Sequence, residues 1–120
     1  MANHASSTWT GASGMEYVYQ VCTYPVSDPP EIGANEPGNF IYAKRDAQRR
    51  WIPIFFGRGD LTQVGAFDPQ KIKCIESKDA THVHVRVNFD KESRIAEVKD
   101  LLANFPQALA PDGCNEQGSF

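Results

Sequence analysis

Gly38-Asn39-Phe40-Ile41-Tyr42-Ala43-Lys44, then Arg45-Asp46-Ala47-Gln48-Arg49-Arg50, then Trp51-Ile52-Pro53-Ile54-Phe55-Phe56-Gly57: two runs rich in aromatic and β-branched residues flank a polar loop of hairpin size. Such residues fit a pleated, half-buried surface, and a glycine bounds each run, so the stretch predicts a β-hairpin. Its first strand opens on Pro37-Gly38. Its second closes on Gly57, just before Asp60, a residue type that caps helix starts.

Outward from the hairpin, Tyr17 to Tyr24 reads as a further strand with apolar or aromatic residues on both faces, expected to join the same sheet. Met1 to Gly14 is mostly Ser, Thr, Ala, Gly and Asn with a lone Trp9, and this composition predicts a disordered tail. Residues 15–120 then form one domain. Between Pro25 and Pro37 the prolines forbid a regular ladder and leave an extended connector. Leu61 to Ala66 suits one helical turn. Pro69 suits the first position of a helix over Gln70 to Ser77. In the next strand His82, His84 and Arg86 alternate with Val83, Val85 and Val87, predicting a wet face of histidines and a buried face of valines. Asp90 is placed to cap a last long helix carrying Ile95, Val98, Leu101 and Leu102 at spacings of three and four, ended by Phe105-Pro106. The tail through Pro111-Asp112-Gly113 is expected to turn back across the sheet. This order predicts an α+β domain with a small, mainly antiparallel sheet flanked by helices.

A proline-glycine, an aromatic-Ile-Tyr strand, a basic loop, Pro-Ile-aromatic-aromatic-Gly and Asp-Leu occur here in one order. Further on come Ala80-Thr81-His82-Val83-His84-Val85, the Ser93 to Leu102 helix and Cys114-Asn115. In that order the chain resembles small bacterial members of the GIY-YIG endonuclease family over roughly residues 36 to 116. The resemblance implies phosphodiester hydrolysis by two hairpin tyrosines, a helix arginine, a metal-holding glutamate and an asparagine. Phe40 and Phe55 stand at the two tyrosine positions, and a phenyl ring has no hydroxyl to hold water or pass a proton. The arginine's place, Thr62 to Gly65, holds none. Counting back from Leu101-Leu102 puts Val98 at the glutamate position, with Glu97 one residue, about 100°, away. Asn115 matches. The resemblance therefore implies a nuclease-like scaffold without the reaction. The alternative is an altered site of Tyr42, Arg58 and Glu97, with Glu97 holding Mg²⁺ or Mn²⁺; otherwise no cofactor is expected.

Charge supplies the remaining partner argument. The net charge of -3 gives no global attraction to nucleic acid, yet Lys44 to Arg58 holds Lys44, Arg45, Arg49, Arg50 and Arg58 against Asp46 alone. That local balance is +4, so the other residues carry -7. Cations interleaved with Trp51, Phe55 and Phe56 suit a phosphate backbone with base stacking, and DNA is the expected partner ahead of RNA. A charged hairpin tip is equally what an exposed turn carries. The acidic remainder suits instead a small regulator or inhibitor that docks a protein partner. His82 and His84 would ligate a metal only with a third ligand, and the plainer expectation is two solvent-side histidines.

Composition limits the rest. A 120-residue chain with 41% hydrophobic and 22% charged residues has the make-up of an ordinary globular domain. Three widely spaced cysteines, Cys22, Cys74 and Cys114, suggest reduced thiols, with Cys74 a small core residue. No stretch approaches a bilayer span and the N-terminus lacks a signal-peptide pattern, so the expectation is a cytoplasmic protein with no membrane partner.

Overall fold

The computed structural model describes residues 5–27, 36–62 and 69–118. In chain order these form strands β1 (Ser6–Thr10), β2 (Glu16–Thr23), β3 (Pro37–Arg45) and β4 (Trp51–Asp60), then helix α1 (Pro69–Ser77), strand β5 (His82–Val87) and helix α2 (Lys91–Asn104). A 3-10 turn, Pro106–Ala108, follows. The strands make one sheet in the order β1-β2-β5-β3-β4, and every neighbouring pair is antiparallel. The α+β class expected from the sequence is the class observed.

The period of two along each strand sorts side chains onto two faces, and both are covered. One face packs on α1 through Cys22, Phe40, Tyr42, Ile54, Phe55, Val83 and Val85 around Ile75. The other packs on α2 through Trp9, Tyr19, Ile41, Ala43 and Phe56 against Val98, Leu101 and Leu102. A bulge breaks the hairpin register: Tyr42 opposes Phe55 but Ala43 opposes Pro53, leaving Ile54 as the extra residue. Ile54 and Phe55 thereby enter the same core. Pro53 is tolerated because β4 is the sheet's edge. Gly57 faces Phe40 across the ladder, and a Cβ there would stand 2.4 Å from the Phe40 ring, so the glycine serves packing.

The structure corrects several expectations. Residues 6–10 of the supposed tail are β1, which buries Ser7 and Trp9 while Ser6, Thr8 and Thr10 face outward. Trp9 packs edge-on against Phe56 and Phe105, and burying such a ring is worth about 3 kcal/mol, which together with the ladder to β2 orders a short strand that composition alone would leave loose. Residues 1–4 of that tail lie outside the described residues, as do 28–35 of the expected connector and 63–66 of the expected turn after Leu61. The turn does begin: Asp60 Oδ1 accepts the backbone N–H of Thr62 at 2.9 Å. Asp90 sits at the N-cap of α2 without a side-chain capping bond. Of the two histidines expected on the wet face of β5, His82 is half-exposed, but His84 is fully buried beneath Trp9 and Trp51.

The cysteines are corrected too. Cys74 on α1 and Cys114 form a disulfide spanning 40 residues, and only Cys22 remains a buried thiol. Their distance in sequence hid a closeness created by the C-terminal segment, which folds back along β4. There Cys114 donates its backbone N–H to the Ile54 carbonyl at 2.8 Å.

Candidate functional site

The hairpin tip is built around Asp46. Its carboxylate accepts the backbone N–H groups of Gln48 and Arg50 at 2.9 Å each and pairs with the Arg50 guanidinium at 2.9 Å. These bonds, led by the Arg50 backbone N–H, hold its carboxyl below the usual range. Arg49 takes a left-handed backbone with φ 64°. One acidic residue thus fixes a loop from which Arg45, Arg49 and Arg50 project into solvent, with Lys44 half-buried beside them. The Arg45 guanidinium lies 3.9 Å from the Trp51 ring centroid. Trp51 makes T-shaped contacts with His82 and His84, and Phe55 and Phe56 are buried. The aromatic faces expected for base stacking are therefore occupied or sealed, and the tip offers charge.

Arg58 does not belong to this cluster. It lies seven residues beyond Trp51 on β4, about 23 Å away at a rise of about 3.3 Å per residue. There it opposes Asn39, which opposes Arg86 in turn, so Arg58, Asn39 and Arg86 form one cross-strand row on the α2 face.

The positions taken from the nuclease resemblance separate in the same way. Phe40, Phe55 and Tyr42 all point to the α1 face, where Tyr42 is fully buried edge-on against Tyr24 and Phe40. Burial pushes the Tyr42 hydroxyl well above its ordinary pKa. Glu97 and Arg58 lie across the sheet. The alternative trio of Tyr42, Arg58 and Glu97 is therefore not assembled. Asn115 meets neither group; its amide accepts the Phe56 N–H at 2.8 Å and donates to the Phe56 carbonyl at 2.9 Å, substituting for a neighbouring strand.

Glu97 has partners that the sequence reading did not name. It is 1% exposed, yet accepts hydrogen bonds from the Tyr19 hydroxyl and, at 2.5 Å, from the Arg86 guanidinium. Burial pushes its carboxyl up, opposed by the Tyr19 bond, the Arg86 charge and Asn88. Tyr19 is raised well above its ordinary value, by burial first and then by the Glu97 charge. Beside them the Tyr17 hydroxyl donates to Asp100 at 2.8 Å and is pushed up to about 12, mainly by burial. Arg86 spans both pairs, its guanidinium 5.6 Å from the Tyr17 ring. A buried carboxylate requires such company, since an unpaired one would shed its charge. The available signal was parity: Tyr17 and Tyr19 alternate on β2 as His84 and Arg86 do on β5.

His84 forms a second buried cluster. Its Nδ1 lies 2.7 Å from Ser7 Oγ and 3.2 Å from Trp9 Nε1, which donates to it. Burial, with the nearby His82 and Arg45 charges, lowers its pKa to about 3. The ring is a neutral structural acceptor, and among the described residues no group of three His, Cys, Asp or Glu side chains is placed to hold a metal with it. No helix among the described residues is long and apolar enough to cross a membrane.

Comparison with family models, with curated proteins and with solved structures finds no match to this chain.

Proposed function

We propose that the chain is a nuclease-like domain without the nuclease reaction that binds nucleic acid, DNA ahead of RNA, through the tip of its β3–β4 hairpin. The supporting observation is the loop in which Asp46 fixes the backbone and leaves Arg45, Arg49 and Arg50 exposed beside Lys44. Ordering the loop beforehand reduces the entropy lost on contact with phosphates. Because Arg45 covers Trp51, binding rests on phosphate charge with little base stacking and discriminates weakly between sequences. Hydrolysis finds little support, since Phe40 and Phe55 lack hydroxyls and Tyr42 lies across the sheet from Glu97. The donors around Glu97 do not suit Mg²⁺ or Mn²⁺ either: its oxygens are engaged by Tyr19 and by the positive Arg86, which repels a cation. A cytoplasmic location is part of this reading, and there the Cys74–Cys114 bond would stand against a reducing background.

The test is a titration of a mixed-sequence duplex at two salt concentrations. Arg45 and Arg49, the tip arginines outside the Arg50–Asp46 ion pair, predict a log–log salt slope of about -2, at about -0.9 per phosphate contact. Arg45→Gln/Arg49→Gln should remove most of the affinity. No binding at low salt, or binding indifferent to salt, refutes the proposal and favours the protein-partner reading. Cutting of plasmid dependent on Mg²⁺ or Mn²⁺ would instead establish a displaced active site.

A further inference from the structure

A groove of about 410 Å³ opens between α1 and the C-terminal segment, lined by Gln70, Lys71, Cys74, Gly113, Cys114 and Glu116. Both sulfur-bearing residues of the disulfide belong to its wall. The two cysteines differ in access: Cys114 is 3% exposed, whereas Cys74 is partly exposed. Lys71 reaches over the groove, its ammonium 2.9 Å from the Cys114 carbonyl and 3.2 Å from a Glu116 carboxylate oxygen. We propose that this groove is a thiol–disulfide exchange site, in which a small-molecule thiol enters from solvent and reduces the Cys74–Cys114 bond in the folded protein. The inference does not depend on nucleic-acid binding.

The chemistry follows from which cysteine is the more exposed. A thiolate of the incoming compound attacks Cys74 Sγ in line with the S–S bond; a new S–S bond joins it to Cys74, and Cys114 leaves as a thiolate. The Lys71 ammonium, held at the Cys114 carbonyl, places a positive charge in the same groove wall as the leaving sulfur, and a nearby cation favours a leaving thiolate. A second thiol then attacks the mixed disulfide, releases Cys74 and departs as the oxidised compound. Two electrons pass from two small thiols to one protein disulfide, and the two protons those thiols give up to water are taken back by Cys114 and Cys74. The released elements are α1 and the C-terminal segment, which remain linked by Lys71 and by Lys78, whose ammonium donates to the Pro111 carbonyl at 2.7 Å.

The test uses the full oxidised chain and glutathione as the probe, with alkylation and mass spectrometry to count thiols. The expected result is one thiol, that of Cys22, before reduction and three after. The rate should be proportional to glutathione and unchanged by sub-denaturing urea, and the trapped adduct should sit on Cys74. Lys71→Gln should slow exchange several-fold. The thermal midpoint of this variant in its oxidised form checks that the fold is kept, and Lys71→Arg should restore the rate. A rate that saturates with glutathione or rises steeply in low urea means reduction through unfolding and overturns the proposal. An adduct on Cys114 also overturns it.

Discussion

Replacing Asn115 by alanine tests whether this residue belongs to the fold or to a reaction. Its side-chain amide makes two bonds to one backbone unit, at 2.8 Å from the Phe56 N–H and 2.9 Å to the Phe56 carbonyl, where Asn115 is 2% exposed. Each bond contributes about 1 kcal/mol net, and each Phe56 group left buried without a partner costs about 1–3 kcal/mol. Partial relief by water at the sheet edge brings the expected loss to about 2–4 kcal/mol. In a domain of this size that is a fall in Tm of roughly 8–16 °C. Urea melts should show a lower midpoint with an unchanged slope, because the exposed surface on unfolding is the same. Duplex binding at a temperature where the variant is folded should match the wild type. A loss below about 1 kcal/mol would refute the ladder role, and a selective loss of binding or cutting in a stable variant would return Asn115 to the site.

Opening the disulfide by Cys114→Ser should destabilise the chain by about 4 kcal/mol, the loop-closure value for the 40-residue separation, read from urea melts against the oxidised protein. Tyr19→Phe removes one of two close partners of Glu97 and should cost about 1.5–3 kcal/mol; no change would mean that Arg86 alone satisfies the carboxylate. Acid should weaken the fold through His84. The unfolded ring takes a proton near pH 6.5 and the folded one only near pH 3, so stability is complete above that window and falls through it by at most about 1.4 kcal/mol per pH unit. The raised Glu97 carboxyl acts in the opposite sense, its contribution being lost as pH rises through its folded value. Imidazole NMR shifts that titrate near pH 6.5 for His84 would refute its burial as a neutral ring. Gly57→Ala should destabilise by overpacking, by about 1–3 kcal/mol, because its methyl would meet the Phe40 ring; thermal melts decide it.

The hairpin was legible because its signals are local: glycines at its ends, aromatic and β-branched runs, and a loop whose one acidic residue is also its organiser. Helix α2 was legible by its period, which Val98, Leu101 and Leu102 obey as buried residues. What failed was each inference that required knowing what lies over a face. The alternation in β5 correctly separated His84 from Val83 and Val85, but nothing local told that Trp9, 75 residues away, would roof the histidine side. The altered trio failed on parity. Tyr42 shares a face with Phe40, as expected, while Arg58 pairs with Asn39 and so points the other way. The Cys74–Cys114 bond depends on the return of the C-terminal segment, which the turn residues suggested without fixing where it would land.

The two borders of the sheet are treated unequally. Along β4 the Cys114 N–H takes up the Ile54 carbonyl and the Asn115 amide takes up both polar groups of Phe56, so an arriving strand meets groups already engaged. Strand β1, at the opposite border, carries Ser6, Thr8 and Thr10 outward with neither proline nor charge among its residues. The covered stretch of β4, from Ile54 to Phe56, is closed to strand addition. The C-terminal segment acts in this sense as a terminator. Light scattering should find Asn115→Ala forming larger species than Tyr19→Phe at matched stability, since only the former frees polar groups on the β4 border.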